Sequence, residues 1–385
     1  MKNWNVILVL VAILLSSCGS RTANEEDGII EIDVTKGFPK KELILQEIFD
    51  VEYVALETSN EFLTQGKVMD VGRRYITVAN QRDGELMIYD RSSGRGIAKF
   101  NHKGEGPNEY ILPMNVFLDE ESGELIVNDG PRETILIYDM EGNFKRSFKS
   151  KPGALLTNMF RYDKNFLICE DTYVPENPNA SQNSFFLMSL ADGAVTNIQI
   201  PYENRVSTMI VKQVGEFVYS SSPDNSLILP CEAGWLLMEP SSDTIYSYRN
   251  GGELLPVAAR TPSVTTMEPP VFLFAGSQTG QYSFLQTVER SYDFEKREGM
   301  KTRDLVYDKQ SGAINEVVVI NRDFKDREEN VYARAINPEI SFCVPLDPPT
   351  LLEANKDGKL SGRLKEIADG LDEEDNPVIM IVKHK

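Results

Sequence analysis

The sequence predicts an all-β chain built from repeated units of three or four strands, and three observations carry that expectation. The tripeptide Ile-Tyr-Asp recurs at residues 88–90 and 137–139, inside two segments of the same layout. Short runs rich in Val, Ile, Phe and Tyr alternate with Gly, Asp and Asn, which is the chemistry of strands separated by tight turns. The layout returns more weakly along the chain at a period of roughly 50–60 residues, in the range of propeller blades.

The first unit reads as Tyr75 to Asn80, Leu86 to Asp90, a turn at Gly94, and Ile97 to Phe100. The second repeats it with Leu125 to Asp129, Ile135 to Asp139, Gly142, and Phe144 to Phe148. A third unit takes Asn165 to Cys169, Phe185 to Leu190 and Val195 to Ile198. Phe217 to Ser220, Trp235 to Met238 and Thr244 to Tyr248 are expected to form a fourth. Tyr282 to Val288, Asp304 to Asp308 and Ile314 to Val318 form a fifth. The remaining strands lie at the two ends: Ile29 to Val34 and Val51 to Leu56, then Ile340 to Val344 and Val378 to Val382. They are expected to share one last blade. Each small sheet has two faces to bury, and radial stacking buries both, while joining the termini removes the open edge. The predicted fold is therefore a six-bladed β-propeller. One short helical insertion is expected within Pro349 to Leu371, where Gly358 and Gly362 argue against a single continuous helix.

The amino end predicts targeting. Lys2 precedes an apolar run from Val6 to Leu15, too short to span a bilayer, which takes roughly 20 residues. Leu15-Ser16-Ser17-Cys18 resembles a bacterial lipobox. Residues 1–17 are thus expected to be a lipoprotein signal peptide, 18–28 a flexible tether, and 29–385 the propeller. Cys18 is the expected lipidation site, and two or three acyl chains there would anchor the chain stably to a membrane. Gly19 follows Cys18 where Asp would signal inner-membrane retention, so the expected location is the outer membrane, facing either the periplasm or the surface.

Composition narrows the function. The formal net charge is −19, which argues against nucleic acid as a partner, since that requires clustered Lys and Arg. Three cysteines remain beyond Cys18, at 169, 231 and 343. They are too far apart for a metal motif, and Cys169 and Cys343 follow apolar residues as buried positions do. Only two histidines exist, His102 beside a Gly-rich turn and His384 at a penultimate position expected to fray, which disfavours histidine-based catalysis or zinc.

Three segments resemble the six-bladed β-propeller lipoproteins of Bacteroidetes, relatives of NHL-repeat propellers. Val51 to Thr58 resembles their opening strand and Asp375 to Lys383 their closing strand. Lys103 to Tyr110 (KGEGPNEY) resembles their G-x-G-P-x-E-Y turn, with Asn108 in place of the usual Gly. The resemblance spans residue 29 to the end and implies a fold and a location but no substrate. Within the turn, Gly104, Gly106 and Pro107 are expected to redirect the chain between blades, Tyr110 to pack, and Glu109 to accept backbone donors.

Acidic residues and Asn recur at turns: Asn128-Asp129, Asp163, Asn165 and Asp224-Asn225. Six-bladed lactonase-like hydrolases hold calcium in the channel with such side chains, so a calcium-dependent lactonase or esterase is the alternative function. Asx-turns use the same residues structurally, and no metal ligand or catalytic residue is assigned. Three segments interrupt the repeat, at residues 171–183, 259–270 and 321–339; long insertions on a rigid scaffold often carry binding, but tolerated surface loops are the favoured reading of these three. The expected function is a membrane-anchored binding or scaffold module for an envelope protein, peptide or glycan, rather than an enzyme.

Overall fold

A computed structural model describes residues 28–175, 181–232, 234–249 and 251–385. Cys18, the signal peptide and most of the tether lie outside the described residues.

Six sheets are arranged as blades. Blade one comprises Lys67–Val71, Tyr75–Asn80, Glu85–Asp90 and Gly96–Asn101. Blade two comprises Pro113–Asp119, Glu124–Asp129, Thr134–Asp139 and Phe144–Lys149. Blade three runs from Leu156–Arg161 through Phe166–Asp171 and Phe185–Ser189 to Val195–Ile198. Blade four is Ile228–Cys231, Gly234–Leu237, Thr244–Tyr248 and Leu254–Thr261. Blade five is Val271–Gln278, Tyr282–Glu289, Thr302–Asp308 and Ala313–Ile320. Blade six joins Ile340–Leu346 and Val378–His384 to Phe49–Ala55 from the amino end. His384 is paired with Phe49 rather than frayed, and burial lowers the pKa of its imidazole.

Strand alternation explains the ring. In blade one, Leu86 and Ile88 face blade two, while Met87 and Tyr89 face blade six. In blade two, Leu136 and Tyr138 look back at blade one, while Ile135 and Ile137 look forward to blade three. This period-two pattern buries both faces of each sheet. Six apolar clusters result, one between each pair of neighbours, with blade six packed on blade one to close the circle.

The first strands of the chain depart from expectation. Ile30–Asp33 does not enter the shared blade but pairs in parallel with Leu254–Thr261, as a fifth strand on the outside of blade four. Lys40–Ile44 pairs in parallel with Ala313–Ile320 in the same way on blade five. Both cover edges that would otherwise be open. A short helix, Leu45–Ile48, then leads into the blade-six strand.

The helical insertion forms two helices, Pro348–Lys356 and Gly362–Ala368. Asp347 caps the first by accepting from Thr350 N at 3.0 Å, and Gly358 breaks the pair at φ 66°. Leu351, Leu364 and Ala368 pack into the cluster between blades five and six.

Candidate functional site

Antiparallel meanders sort their connections onto two faces. One face carries the turns between first and second and between third and fourth strands, such as 72–74, 120–123 and 140–143, all tight. The opposite face carries the remaining connections, and every long insertion falls there. These are the segments after Asp171, after Thr261 and after Ile320, the two helices, and residues 199–227. The last was not anticipated. Phe217 to Ser220 belongs not to blade four but to a separate hairpin, Ile210–Val214 with Phe217–Ser221, rising between blades three and four. Its apolar side chains are bare: Phe217 is 70% and Val218 66% exposed. The innermost strand of blade four is instead Ile228–Cys231.

Beneath this long-loop face, between blades three, four and five, lies a cavity of about 180 Å³. Its floor is Glu170, buried on the second strand of blade three. Four donors surround that carboxylate. Asn158 Nδ2 donates to Oε2 at 2.8 Å, and Leu227 N reaches the same oxygen at 3.4 Å. The Thr157 and Thr172 hydroxyls donate to Oε1 at 2.9 and 3.0 Å. Burial raises the Glu170 pKa in spite of them. A second buried carboxylate, Glu239, forms part of the wall and accepts from Ser241 N at 3.1 Å. On the rim stands Asp224, with Asn225 beside it. Asn225 Nδ2 donates to Gln286 Oε1 at 2.8 Å, and Gln286 Nε2 donates to Asp304 Oδ1 at 2.7 Å. Tyr173, Met209 and Phe274 supply apolar surface.

The channel behind the cavity is crossed by the insertion at 321–339. Blade six has three strands, and the irregular residues 330–339 run where its innermost strand would lie. Ser277 of blade five donates through N and Oγ to Val331 O at 2.9 and 2.8 Å, and Asn337 N turns back to Ile340 O. Arg334 thereby sits among Asp70, Glu170 and Cys343. Its guanidinium lies 5.7 Å from the Phe160 ring centre. Asp70 accepts from Val71 N and Leu118 N, yet burial pushes its pKa up to about 6. Burial pushes the Cys343 thiol up to about 12. Asn128, 1% exposed beside Asn115 on the neighbouring strand, finds no protein partner among the described residues for either side-chain polar atom.

The anticipated acidic turn residues separate accordingly. Asp224 and Asn225 reach the cavity, whereas Asp163 closes a turn by accepting from Asn165 N and Phe166 N. Asp129 accepts from Ile111 N and Leu112 N, both at 3.1 Å. Asp171 repeats the device on Leu155 N at 3.1 Å. Both therefore end a second strand by fastening the chain that enters their own blade. Among the described residues, no three His, Cys, Asp or Glu side chains come together as a metal site. No disulfide joins Cys169, Cys231 and Cys343.

The glycine-rich turn lies between blades one and two, away from the cavity. Glu109 accepts from Gly106 N at 2.7 Å, and Tyr110, fully buried, donates to Gly84 O at 2.6 Å. Arg132 donates to the carbonyls of Gly106 and Glu109, each at 2.8 Å. Pro107 and Asn108 complete the loop, and Asn108 O accepts from Tyr138 Oη at 2.9 Å. His102 stacks on Tyr138 with ring centres 5.1 Å apart, and its Nε2 contacts Gly142 O at 2.7 Å.

This architecture agrees with the family model described as "Domain of unknown function (DUF4934)", which matches residues 29–383. The chain belongs to the DUF4934 family. A Bacteroides fragilis protein, provisionally described as exported, superposes on this DUF4934 propeller with a TM-score of 0.63. The two are 14% identical, and the match covers 93% of this chain and 100% of the other. A member of the DUF4221 family from Bacteroides vulgatus gives a TM-score of 0.46 at 9% identity, covering 88% of this chain and 99% of its own. The B. fragilis likeness concerns the fold. No curated protein matches.

Sequence reasoning missed Glu170, Glu239, Asn158 and Arg334. A signal for Glu170 existed. Glu170-Asp171 occupies the same strand end in blade three as Asn128-Asp129 does in blade two. The position before each fastening Asp was therefore readable as a repeated inward site.

Proposed function

We propose that this DUF4934 protein is a lipid-anchored, extracytoplasmic binding module that recognises an envelope protein, peptide or glycan through its long-loop face. The observation that carries the reading is the segregation of every long insertion onto one face, above a cavity floored by Glu170. A rigid ring holding variable loops over a concave site suits recognition. The exposed hairpin adds apolar contact surface of the kind interaction sites use. The lipobox ending at Cys18 supports the anchor, and the B. fragilis protein described as exported supports the compartment.

Two measurements test the reading. Metabolic labelling with palmitate is expected to mark the chain and to fail with Cys18→Ala; labelling that survives the substitution removes the anchor. Crosslinked pull-down from the envelope is expected to retrieve a partner with the native chain and to lose it with Phe217→Ser plus Tyr219→Ser. Retrieval of nothing under every crosslinking condition removes the binding role.

A further inference from the structure

The geometry points to a primary ammonium group as the feature that the cavity between blades three, four and five receives. This rests on the reading that the long-loop face binds, and it adds the chemistry of the ligand.

The argument is an account of donors and acceptors. An ionised carboxylate only accepts hydrogen bonds. Asn158 Nδ2 donates to Glu170 Oε2 at 2.8 Å, which turns the amide nitrogen toward the carboxyl group. Asp304 fixes Gln286 through Nε2 at 2.7 Å, which turns Gln286 Oε1 toward Asn225 and fixes Asn225 through its own Nδ2 at 2.8 Å. Glu170 in the floor and Asp304 behind the wall thus turn the amide nitrogens of Asn158 and Asn225 toward the protein. Their carbonyl oxygens stay uncommitted among the described residues, on side chains that line the cavity.

Glu239 points the same way. It is 4% exposed and lines the cavity. Oε1 accepts from Ser241 N, and Oε2 accepts from no described residue. Oε2 is not sealed in the wall but open to the cavity, where a donor from a bound group can reach it. Asp224 adds a further negative charge at the rim, and no Lys or Arg among the described residues lines the cavity. The nearest cations stand behind the lining and are held by it or by Glu170. Arg205 stacks on Tyr173 at 4.3 Å and donates to Ser184 Oγ, Arg290 donates to Met209 O, and Arg334 lies beyond Glu170. An ammonium brings three donors and one positive charge to a wall that presents acceptors. The volume of about 180 Å³ admits one sugar ring or one short side chain. An amino sugar and an amino-bearing peptide end share this chemistry.

Titration calorimetry of the full-length chain separates the two sources. The probes are D-glucosamine and glycyl-glycinamide, each beside its N-acetylated form. At least one amine is expected to bind, and acetylation is expected to weaken it at least about tenfold, the loss of one charged hydrogen bond. Glu239→Gln keeps the acceptor for Ser241 N and is expected to weaken the amine by a similar factor. Asp224→Asn, on an exposed side chain, gives a smaller loss without bearing on folding. Equal binding of an amine and its acetylated form, or full affinity in a Glu239→Gln protein that melts like the native one, overturns the proposal. So does the absence of binding by both amines. If the long-loop face still captures its partner in that case, the ligand chemistry alone falls; if capture fails too, both readings fall.

Discussion

Arg334 Nη2 donates to Asn115 Oδ1 at 3.2 Å, joining blade six to blade two across the axis and past blade one. The guanidinium also faces Asp70 and Glu170, so one side chain balances carboxylates from blades one and three.

Replacing it with Met removes that balance. Arg334→Met is expected to destabilise the propeller by about 1–3 kcal/mol, because Asn115 loses a donor and two buried carboxylates lose their counter-charge. Urea denaturation followed by tryptophan fluorescence would show the lower midpoint.

Asp70 gives a pH signature of unusual sign. Its folded pKa of about 6 lies above the unfolded value of 3.8, so the folded state holds more protons between the two. Its contribution is fully present below the unfolded pKa and is lost as pH rises through about 6. Comparing unfolding free energies from pH 4 to pH 7, the native chain should carry a falling component that Asp70→Asn lacks. Parallel profiles for the two proteins would refute it.

The glycine-rich turn is sterically closed at one position. A Cβ on Gly104 would sit 2.0 Å from Glu109 Oε2. The Glu109 side chain can swing aside, but it then gives up the hydrogen bond it accepts from Gly106 N, so Gly104→Ala is expected to cost about 1 kcal/mol. Gly123→Ala offers a contrast, because its Cβ meets open space and only its φ of 64° opposes it. Thermal melts should show a drop for both, the Gly123 variant losing about 1–2 kcal/mol to its left-handed backbone.

The hairpin should be dispensable for folding. Phe217→Ser and Tyr219→Ser remove side chains that are 70% and 51% exposed, and each should shift stability by less than about 0.5 kcal/mol. A marked fall in melting temperature would mean that these residues pack within the fold.

The blades were legible where local pattern decides structure. Tyr89 and Tyr138, the centres of the Ile-Tyr-Asp repeats, are both fully buried on third strands. Blade four misled because its innermost strand, Ile228–Cys231, is short and carries Pro230, while Phe217 to Ser220 has the stronger strand composition. The outer strands at 30–33 and 40–44 are set by parallel pairing with residues far along the chain, which no local signal records. The cavity was half readable. Asp224-Asn225 stood out as a turn, but Glu170 and Glu239 become neighbours of one void only when three blades converge.

Blade six has a temporal consequence. Phe49–Ala55 is among the first strands made and finds its partner, Val378–His384, among the last. The circle therefore cannot lock until Val378–His384 has emerged, and contacts so distant along the chain slow the search.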